Sequence, residues 1–540
     1  MWVILTLTGW TLLGLLAAGV IQLFLRFLLA YLTRYRYRAI RHSMASRWTG
    51  LATLEALDQR SGLKRTWERM QKLYSAEGGC PDLVYAGINV SGSHEVMAMS
   101  PEAVRQVTSR DTVDFVKPET FKNMISRIIP QGLVVSEGDE WRHERKLLTP
   151  LFHYAQIRDV ALPATVAQVH KTIALIEKRR NQKDTADDDT EAKGSSVRWT
   201  VDEGGNPSTI AVDLFGHLAL GVVIDGMFGS DLDREWMHSV WKDLFTANYG
   251  YLIGKLLLGR LMDYLPLPPT VRMLRTIRQI RSTIQRLIDR RREETAEKGD
   301  QAQDKGDLVT AMIKAKDPET GERLPDDLII SEALTMLLAG HETTSTILSW
   351  LMYFVGRPEN TQVQKRLQEE ADRVLQGEDP CAATYGQLTY TQQVMKEALR
   401  MRPGGVQRVA VRDVEICGVK IPKGTNVIAF FIMPHHHPAH YPQPHVFDPD
   451  RMDPQGQSGW KGDNKTNDAL YAPFSAGPRA CIGQRFAMQE VVVTMAMLCQ
   501  RYHLETDETE FIGGVLKPNG LRVKFIKRDS HDKEEGKKDI

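Results

Sequence analysis

The chain reads as a mainly α-helical protein with a small β-rich region, preceded by one N-terminal transmembrane helix. Three observations carry that reading. Met1–Leu25 contains no charged residue. Ser331–Gly356 is apolar around its whole circumference apart from Glu332, His341 and Glu342, which marks a long buried helix. Helical patterns fill most of the rest, whereas short strand-like runs gather between Val406 and Phe431.

Composition narrows the possibilities. Of 540 residues, 42% are apolar and 25% charged, which excludes a collagen-like, mainly disordered or polytopic membrane chain. Lys+Arg number 69 against 68 Asp+Glu, so no basic surplus points to nucleic acid. The five cysteines (Cys80, Cys381, Cys417, Cys481 and Cys499) include no CxxC pair. They make neither a disulfide framework nor a zinc ribbon, and they place the body in a reducing compartment.

Taken in order, residues 1–30 form the membrane anchor. At about 1.5 Å per residue the run spans a hydrocarbon core of about 30 Å. Arg26, Arg34, Arg36, Arg38, Arg41 and Arg47 follow, with no acid before Glu55, so the C-terminal body is expected in the cytosol. The run lacks the basic start and short apolar stretch of a cleaved signal. Residues 31–79 read as a basic linker and lead-in helix, and 80–526 as one catalytic domain. Leu83–Met99 suits a strand pair turned at Gly92. Pro101–Val107 suits a helix capped by Ser100. Residues 139–180 read as helical with a break near Pro150. The polar, acidic segment 181–207 reads as an exposed loop outside the core. Helical patterns run from Thr209 to Glu297. In Ser331–Gly356, Glu342 near the midpoint argues for burial in protein over burial in lipid. Helices follow at Val363–Gly377, Thr391–Met401 and Gln484–Tyr502. Residues 527–540 read as a charged, disordered tail.

One cysteine stands apart. Residues 474–483 read Phe-Ser-Ala-Gly-Pro-Arg-Ala-Cys-Ile-Gly, a tight loop that sets Cys481 just before a helix. A helix start offers free N–H groups and a positive dipole end, which favour a thiolate. Arg479 can neutralise an acidic group of a cofactor. A lone thiolate cannot build a zinc or iron–sulfur site, but it can serve as the single axial ligand of a haem.

Here the chain resembles the cytochrome P450 family. Phe474, Gly477, Arg479, Cys481 and Gly483 complete its haem-binding signature F-x-x-G-x-R-x-C-x-G, with Phe486 and Ala487 extending it. The resemblance implies the cytochrome P450 fold, heme b as cofactor and Cys481 as the iron ligand. Further motifs occur in the family's order. Ala339-Gly340-His341-Glu342-Thr343-Thr344 matches the segment that crosses the distal face of the haem. By resemblance Thr343 hydrogen-bonds dioxygen and Glu342 relays protons, and both are catalytic candidates. A structural salt bridge is the plainer reading of Glu342, and back-bonding to a helix carbonyl is the plainer reading of a Thr pair. Glu397 and Arg400 form the family's E-x-x-R, one helix face apart, and Arg451 completes a structural Glu–Arg–Arg cluster. Trp141 and Arg145, spaced i, i+4, and Arg408 match positions that contact haem propionates. With Arg479 these give three cations for two carboxylates. His435, His436, His437, His440 and His445 read as an irregular structural loop, not a metal site. Met452 replaces the family's usual phenylalanine, and Gly404-Gly405 stands where bulkier residues border the cavity.

The implied activity is insertion of one atom of O2 into a lipophilic small molecule, by hydroxylation or epoxidation. Electrons would come from NADPH through a separate cytochrome P450 reductase, with cytochrome b5 as a second candidate donor. No flavin- or nicotinamide-binding glycine motif occurs in the chain. The expected setting is the endoplasmic reticulum membrane, single-pass with the domain in the cytosol, and the texture resembles fungal enzymes of secondary metabolism. Two alternatives stay open: a haem-thiolate isomerase or dehydratase that needs no O2, and a non-enzymatic haem sensor.

Overall fold

The computed structural model describes residues 17, 21, 24, 25, 28, 31–37, 40–42, 81–88, 92–153, 157–181, 197–258, 262, 265–298, 307–317, 320–454, 470–507, 510–512 and 517–528. It is mostly helical. The principal helices are α1 (Pro101–Ser109), α2 (Gly138–Leu148), α3 (Leu162–Asn181), α4 (Ala211–Phe228), α5 (Arg234–Leu258) and α6 (Pro268–Lys298). Then come α7 (Leu308–Lys314), α8 (Asp326–Val355), α9 (Thr361–Leu375), α10 (Thr389–Met401) and α11 (Gln484–Arg501). The strands are β1 (Arg41–His42), β2 (Leu83–Ile88), β3 (His94–Ala98), β4 (Phe115–Val116), β5 (Trp199–Val201), β6 (Pro207–Ile210) and β7 (Val406–Ala410). After them follow β8 (Val414–Ile416), β9 (Val419–Ile421), β10 (Asn426–Ala429), β11 (Tyr502–Thr506), β12 (Glu510–Ile512), β13 (Lys517–Asn519) and β14 (Arg522–Lys527).

Local rules explain the boundaries. Ser100 caps α1 by accepting the Ala103 N–H at 3.2 Å, with Pro101 in the first turn. β2 and β3 pair antiparallel, and Gly92 between them takes a φ of +77°. The six-stranded sheet runs β1-β2-β3-β10-β7-β4. Its register sets Val427 beside Arg408 and Phe115 beside Ala410, which brings residues 111–117 against 408–412.

The central helix α8 begins at Asp326, earlier than the apolar run suggested. Asp326 and Asp327 occupy its first turn, where carboxylates favour the dipole, so an apolarity criterion misses that end. Its C-terminal half (Ile347 to Val355) packs into one large core cluster and its N-terminal half (Ile329 to Leu337) into another. α4 lies along it. A Cβ on Gly340 would stand 2.6 Å from a Val223 methyl, so glycine permits this close crossing. Among the described residues α4 alone has the length and apolarity to cross a membrane, and 78% of that window is buried inside the protein, which makes it a core helix.

Two expectations are corrected. The 181–207 segment is not wholly an exposed loop. Residues 182–196 lie outside the described set, but Val197 is buried, and β5 and β6 complete a four-stranded sheet in the order β11-β14-β6-β5. Polar composition hid them: β5 and β6 form a local hairpin, and β6 joins the sheet through distant β14. The tail also begins later. Lys527 ends β14, and Arg528 donates to Asp372 at 2.7 Å and to the Cys499 carbonyl at 3.1 Å. Residues 529–540, 43–80 and most of 1–30 lie outside the described residues. Of residues 1–30, Ile21, Phe24, Leu25 and Leu28 are helical and expose their side chains.

Candidate active site

The Cys481 loop is held by its own backbone. The Cys481 N–H donates to the Phe474 carbonyl at 2.9 Å and the Ala480 N–H to the Gly477 carbonyl at 3.1 Å. Gly477 has a φ of +73°, and a Cβ there would fall 2.3 Å from the Thr108 carbonyl oxygen, so only glycine lets the loop seat against α1. Gly483 is the N-cap of α11 and donates its N–H to the Cys481 sulfur.

Cys481 is accessible, yet it lies deep enough that burial raises its thiol pKa. The two facts agree when the sulfur faces an internal cleft. The Gly483 N–H and Arg145 oppose the shift without cancelling it. The helix-start N–H of Gly483 acts in the expected direction, toward the thiolate, and burial acts against it.

A charged cluster surrounds the loop. Arg479 stacks over Trp141, guanidinium carbon 4.4 Å from the ring centroid. It pairs with Glu137 and stands 3.8 Å from Asp111. Arg408 donates to Asp111 through Nε and, at 2.8 Å, through a terminal nitrogen. Arg145 has no carboxylate partner among the described residues, and its electrostatic neighbour is Cys481. Sequence reasoning found these arginines but missed Asp111, Glu137 and Lys117. Lys117 is buried and donates to the carbonyls of Leu133 at 3.0 Å and Ser136 at 2.8 Å. Desolvation first, then Arg479, lowers its pKa to about 7. No local signal marks these three. Asp111 meets Arg408 across 297 positions through the β4–β7 pairing.

These residues fit a haem. Four cations (Lys117, Arg145, Arg408 and Arg479) face two chain carboxylates, which leaves a surplus matching two propionates. The earlier count of three cations for two carboxylates is therefore revised: Asp111 and Glu137 occupy part of that charge, and Lys117 restores the balance. Among the described residues no group of three His, Cys, Asp or Glu side chains could hold a bare metal ion. A single accessible sulfur suits a metal that brings its other ligands with it.

Beyond the first turn of α8 the exposed residues are Ala339 and Thr343, one turn apart on one face. The Thr343 hydroxyl donates to the Ala339 carbonyl at 2.7 Å, the back-bonded geometry that the plainer reading expects. Glu342 is half-buried, and Thr344 is buried.

Behind the loop, Glu397 and Arg400 are fully buried and paired through two contacts of 2.8 Å. Arg400 also donates to the His435 carbonyl at 2.8 Å, and Glu397 accepts the Asp448 N–H at 3.1 Å. Arg451 stands 3.7 Å from Glu397, at the loose edge of the cluster. His435 accepts the Ala472 N–H at 2.8 Å, which ties the histidine segment to the approach of the Cys481 loop. Met452 is buried and fills the place of the expected phenylalanine.

Comparison with known proteins agrees with this geometry. The family model described as Cytochrome P450 matches residues 85–524. Cyclooctat-9-en-7-ol 5-monooxygenase of Streptomyces melanosporofaciens is 28% identical, over 81% of this chain and 86% of its own. Leukotriene-B4 omega-hydroxylase 3 of Mus musculus is 26% identical, over 76% and 75%. The crystal structure of the cytochrome P450DA heme domain superposes with a TM-score of 0.72, covering 91% of this chain and 98% of that one at 22% identity. At that identity the likeness speaks for the fold alone.

Proposed function

The chain belongs to the cytochrome P450 family and is a haem-thiolate monooxygenase, and from that premise we propose that it oxidises a lipophilic small molecule with Cys481 as the axial ligand. The observation that carries the assignment of Cys481 is an accessible sulfur deep in the fold, beside a cation cluster with room for two more carboxylates. When bound, the haem supplies O2 activation and oxygen-atom transfer to the substrate.

The chain's own residues do the rest. Gly483 and Arg145 stabilise negative charge on the Cys481 sulfur. Arg408, Arg479, Arg145 and Lys117 hold the cofactor's carboxylates, and Trp141 fixes the plane of Arg479. Thr343 gives up its bond to the Ala339 carbonyl and presents its hydroxyl to the cleft, and Glu342 supplies protons from the solvent side. The packed halves of α8 exclude bulk water. Glu397, Arg400 and Arg451 keep the backbone behind the loop in place.

The names of two relatives, a monooxygenase of cyclooctat-9-en-7-ol and an omega-hydroxylase of leukotriene B4, support a lipophilic substrate. Electrons come from a separate reductase, with NADPH-cytochrome P450 reductase as the proposed donor and cytochrome b5 as a second. The proposed site is the endoplasmic reticulum membrane, with residues 1–30 as anchor. A place in fungal secondary metabolism rests on sequence texture alone, since the relatives named here are bacterial and mammalian.

The test is turnover of the full-length protein with reductase and NADPH on terpenoid and fatty-acid panels, with and without O2. Product that contains one atom of labelled O2 supports the reading. Conversion that proceeds without O2 or reductase supports the isomerase instead.

A further inference from the structure

Residues Gly132–Glu137 run between α8 and the Cys481 loop and are gripped from both sides. On one side stand two buried glutamates. Glu332 of α8 is fully buried, and its Oε1 accepts the Leu133 N–H at 2.8 Å. Its Oε2 is buried with no hydrogen-bond partner among the described residues. Glu144 of α2 accepts the Ser136 hydroxyl and the Gly132 N–H. Both carboxyls border one small void, otherwise walled by Leu147, Leu148, Met312 and Leu324 and by the Leu328–Ile329 turn. A Cβ on Gly132 would stand 2.7 Å from Glu332 Oε1, so glycine at φ +100° is what lets the carboxyl reach the backbone.

On the other side stand the cations. Lys117 donates to the carbonyls of Leu133 and Ser136, and its backbone N–H donates to Glu137 at 2.8 Å. Arg479 reaches the Ser136 carbonyl at 3.4 Å and pairs with Glu137. The Leu133 peptide is thus bonded to Glu332 through its N–H and to Lys117 through its carbonyl.

We propose that Glu332 is a positioning residue: as a neutral acid beside Glu144 it holds residues 132–137 in the register that presents Ser136 and Glu137 to Arg479, and its ionisation releases that segment.

Two carboxylates in one dry pocket repel, and only one cation answers them. The charged groups facing Glu332 are Glu144 from α2 and Lys117 from the segment after β4; Met312 of α7 and Leu324, Leu328 and Ile329 offer apolar side chains to the void. Glu144 in turn faces Glu140 and Lys117. Burial first, then Glu144, pushes the Glu332 carboxyl up to about 8, so the acid is mostly neutral at pH 7 and ionises just above it. The further consequence, a looser hold on the cofactor, rests on the proposed role of Arg479.

The test uses the full-length holoprotein. Hydrogen exchange of a peptide spanning residues 130–138, corrected for intrinsic rate, is followed from about pH 7 to about pH 9.5, alongside haem loss to a haem-free acceptor protein. In the wild type, protection of Leu133 is expected to fall about tenfold or more across that range. Glu332→Gln, a neutral isostere, should keep protection nearly constant. Glu144→Gln removes the repelling charge, which lowers the pKa of Glu332, and should shrink the loss above pH 7 and move what remains to lower pH. A wild-type protein whose protection does not change with pH overturns the proposal, and the wild-type arm stands even where a variant fails to fold. If protection falls as expected while haem loss stays flat, the segment works as stated and the assigned role of Arg479 is wrong.

Discussion

Lys117 buries an ammonium, gives it two carbonyls as hydrogen-bond partners, and sets Arg479 and Arg408 against the attraction of Glu137 and Asp111. A buried cation in that state is costly until an anion arrives. Its pKa of about 7 lies far below the ordinary lysine value, so the sign follows directly. Below about pH 7 the ammonium is charged in both folded and unfolded chains, and the haem-free fold carries the full penalty. As pH rises from about 7 toward the ordinary lysine value the folded group sheds its proton first and the penalty is relieved. Loading an anionic cofactor reverses this, because propionates favour the ammonium. Haem incorporation should therefore take up protons near pH 7, which calorimetry in buffers of different ionisation enthalpy measures, and Lys117→Met should abolish most of that uptake. Thr343 yields a second expectation at this scale. Replacing it with alanine removes the hydroxyl without disturbing a buried contact, so the fold should hold. Product formed per NADPH should fall by up to about 10²-fold, the lower range for a positioned proton donor, with hydrogen peroxide released in its place. Unchanged coupling would remove Thr343 from the proton path.

At the scale of elements, the close crossing of α4 and α8 fixes the exposed face of the central helix. Gly340→Ala sets a methyl against a Val223 methyl at 2.6 Å, a distance at which the valine or its helix must shift. Overpacking of this kind costs about 1–3 kcal/mol and should lower the melting temperature of the full-length protein. Because Thr343 is one turn away, coupling should suffer too, which a stability effect alone would not produce. What could be read in the sequence divides along the same line. The Cys481 loop was legible because its residues are contiguous and each has a backbone or chemical reason. Helices with caps and long apolar runs were legible too, as Ser100 and α8 show. The strands β5 and β6 were not, because their composition is that of a loop and the strand that ties their hairpin into a sheet, β14, lies some 300 residues away. Asp111 and Glu137 were illegible because a carboxylate announces its arginine only once the fold has brought the two together, by sheet register for Asp111 and by the packing of the Cys481 loop for Glu137.

At the scale of the whole molecule, the folded body contains its own most apolar long helix, α4, and keeps it buried. The proposed attachment to a membrane is assigned to the N-terminal segment, whose described apolar side chains are exposed. Removing residues 1–30 should shift the protein from the membrane fraction toward the soluble fraction while its haem spectrum stays the same. Retention on membranes after that deletion would assign the contact to the body.

The account depends most on the sulfur at position 481. The direct measurement is the carbon-monoxide difference spectrum of the reduced full-length protein beside that of Cys481→Ser, each with its haem content. The wild type should show the red-shifted band of a thiolate-ligated haem, and the serine variant should lose that band together with O2-dependent turnover. A serine variant that kept both would contradict the assignment.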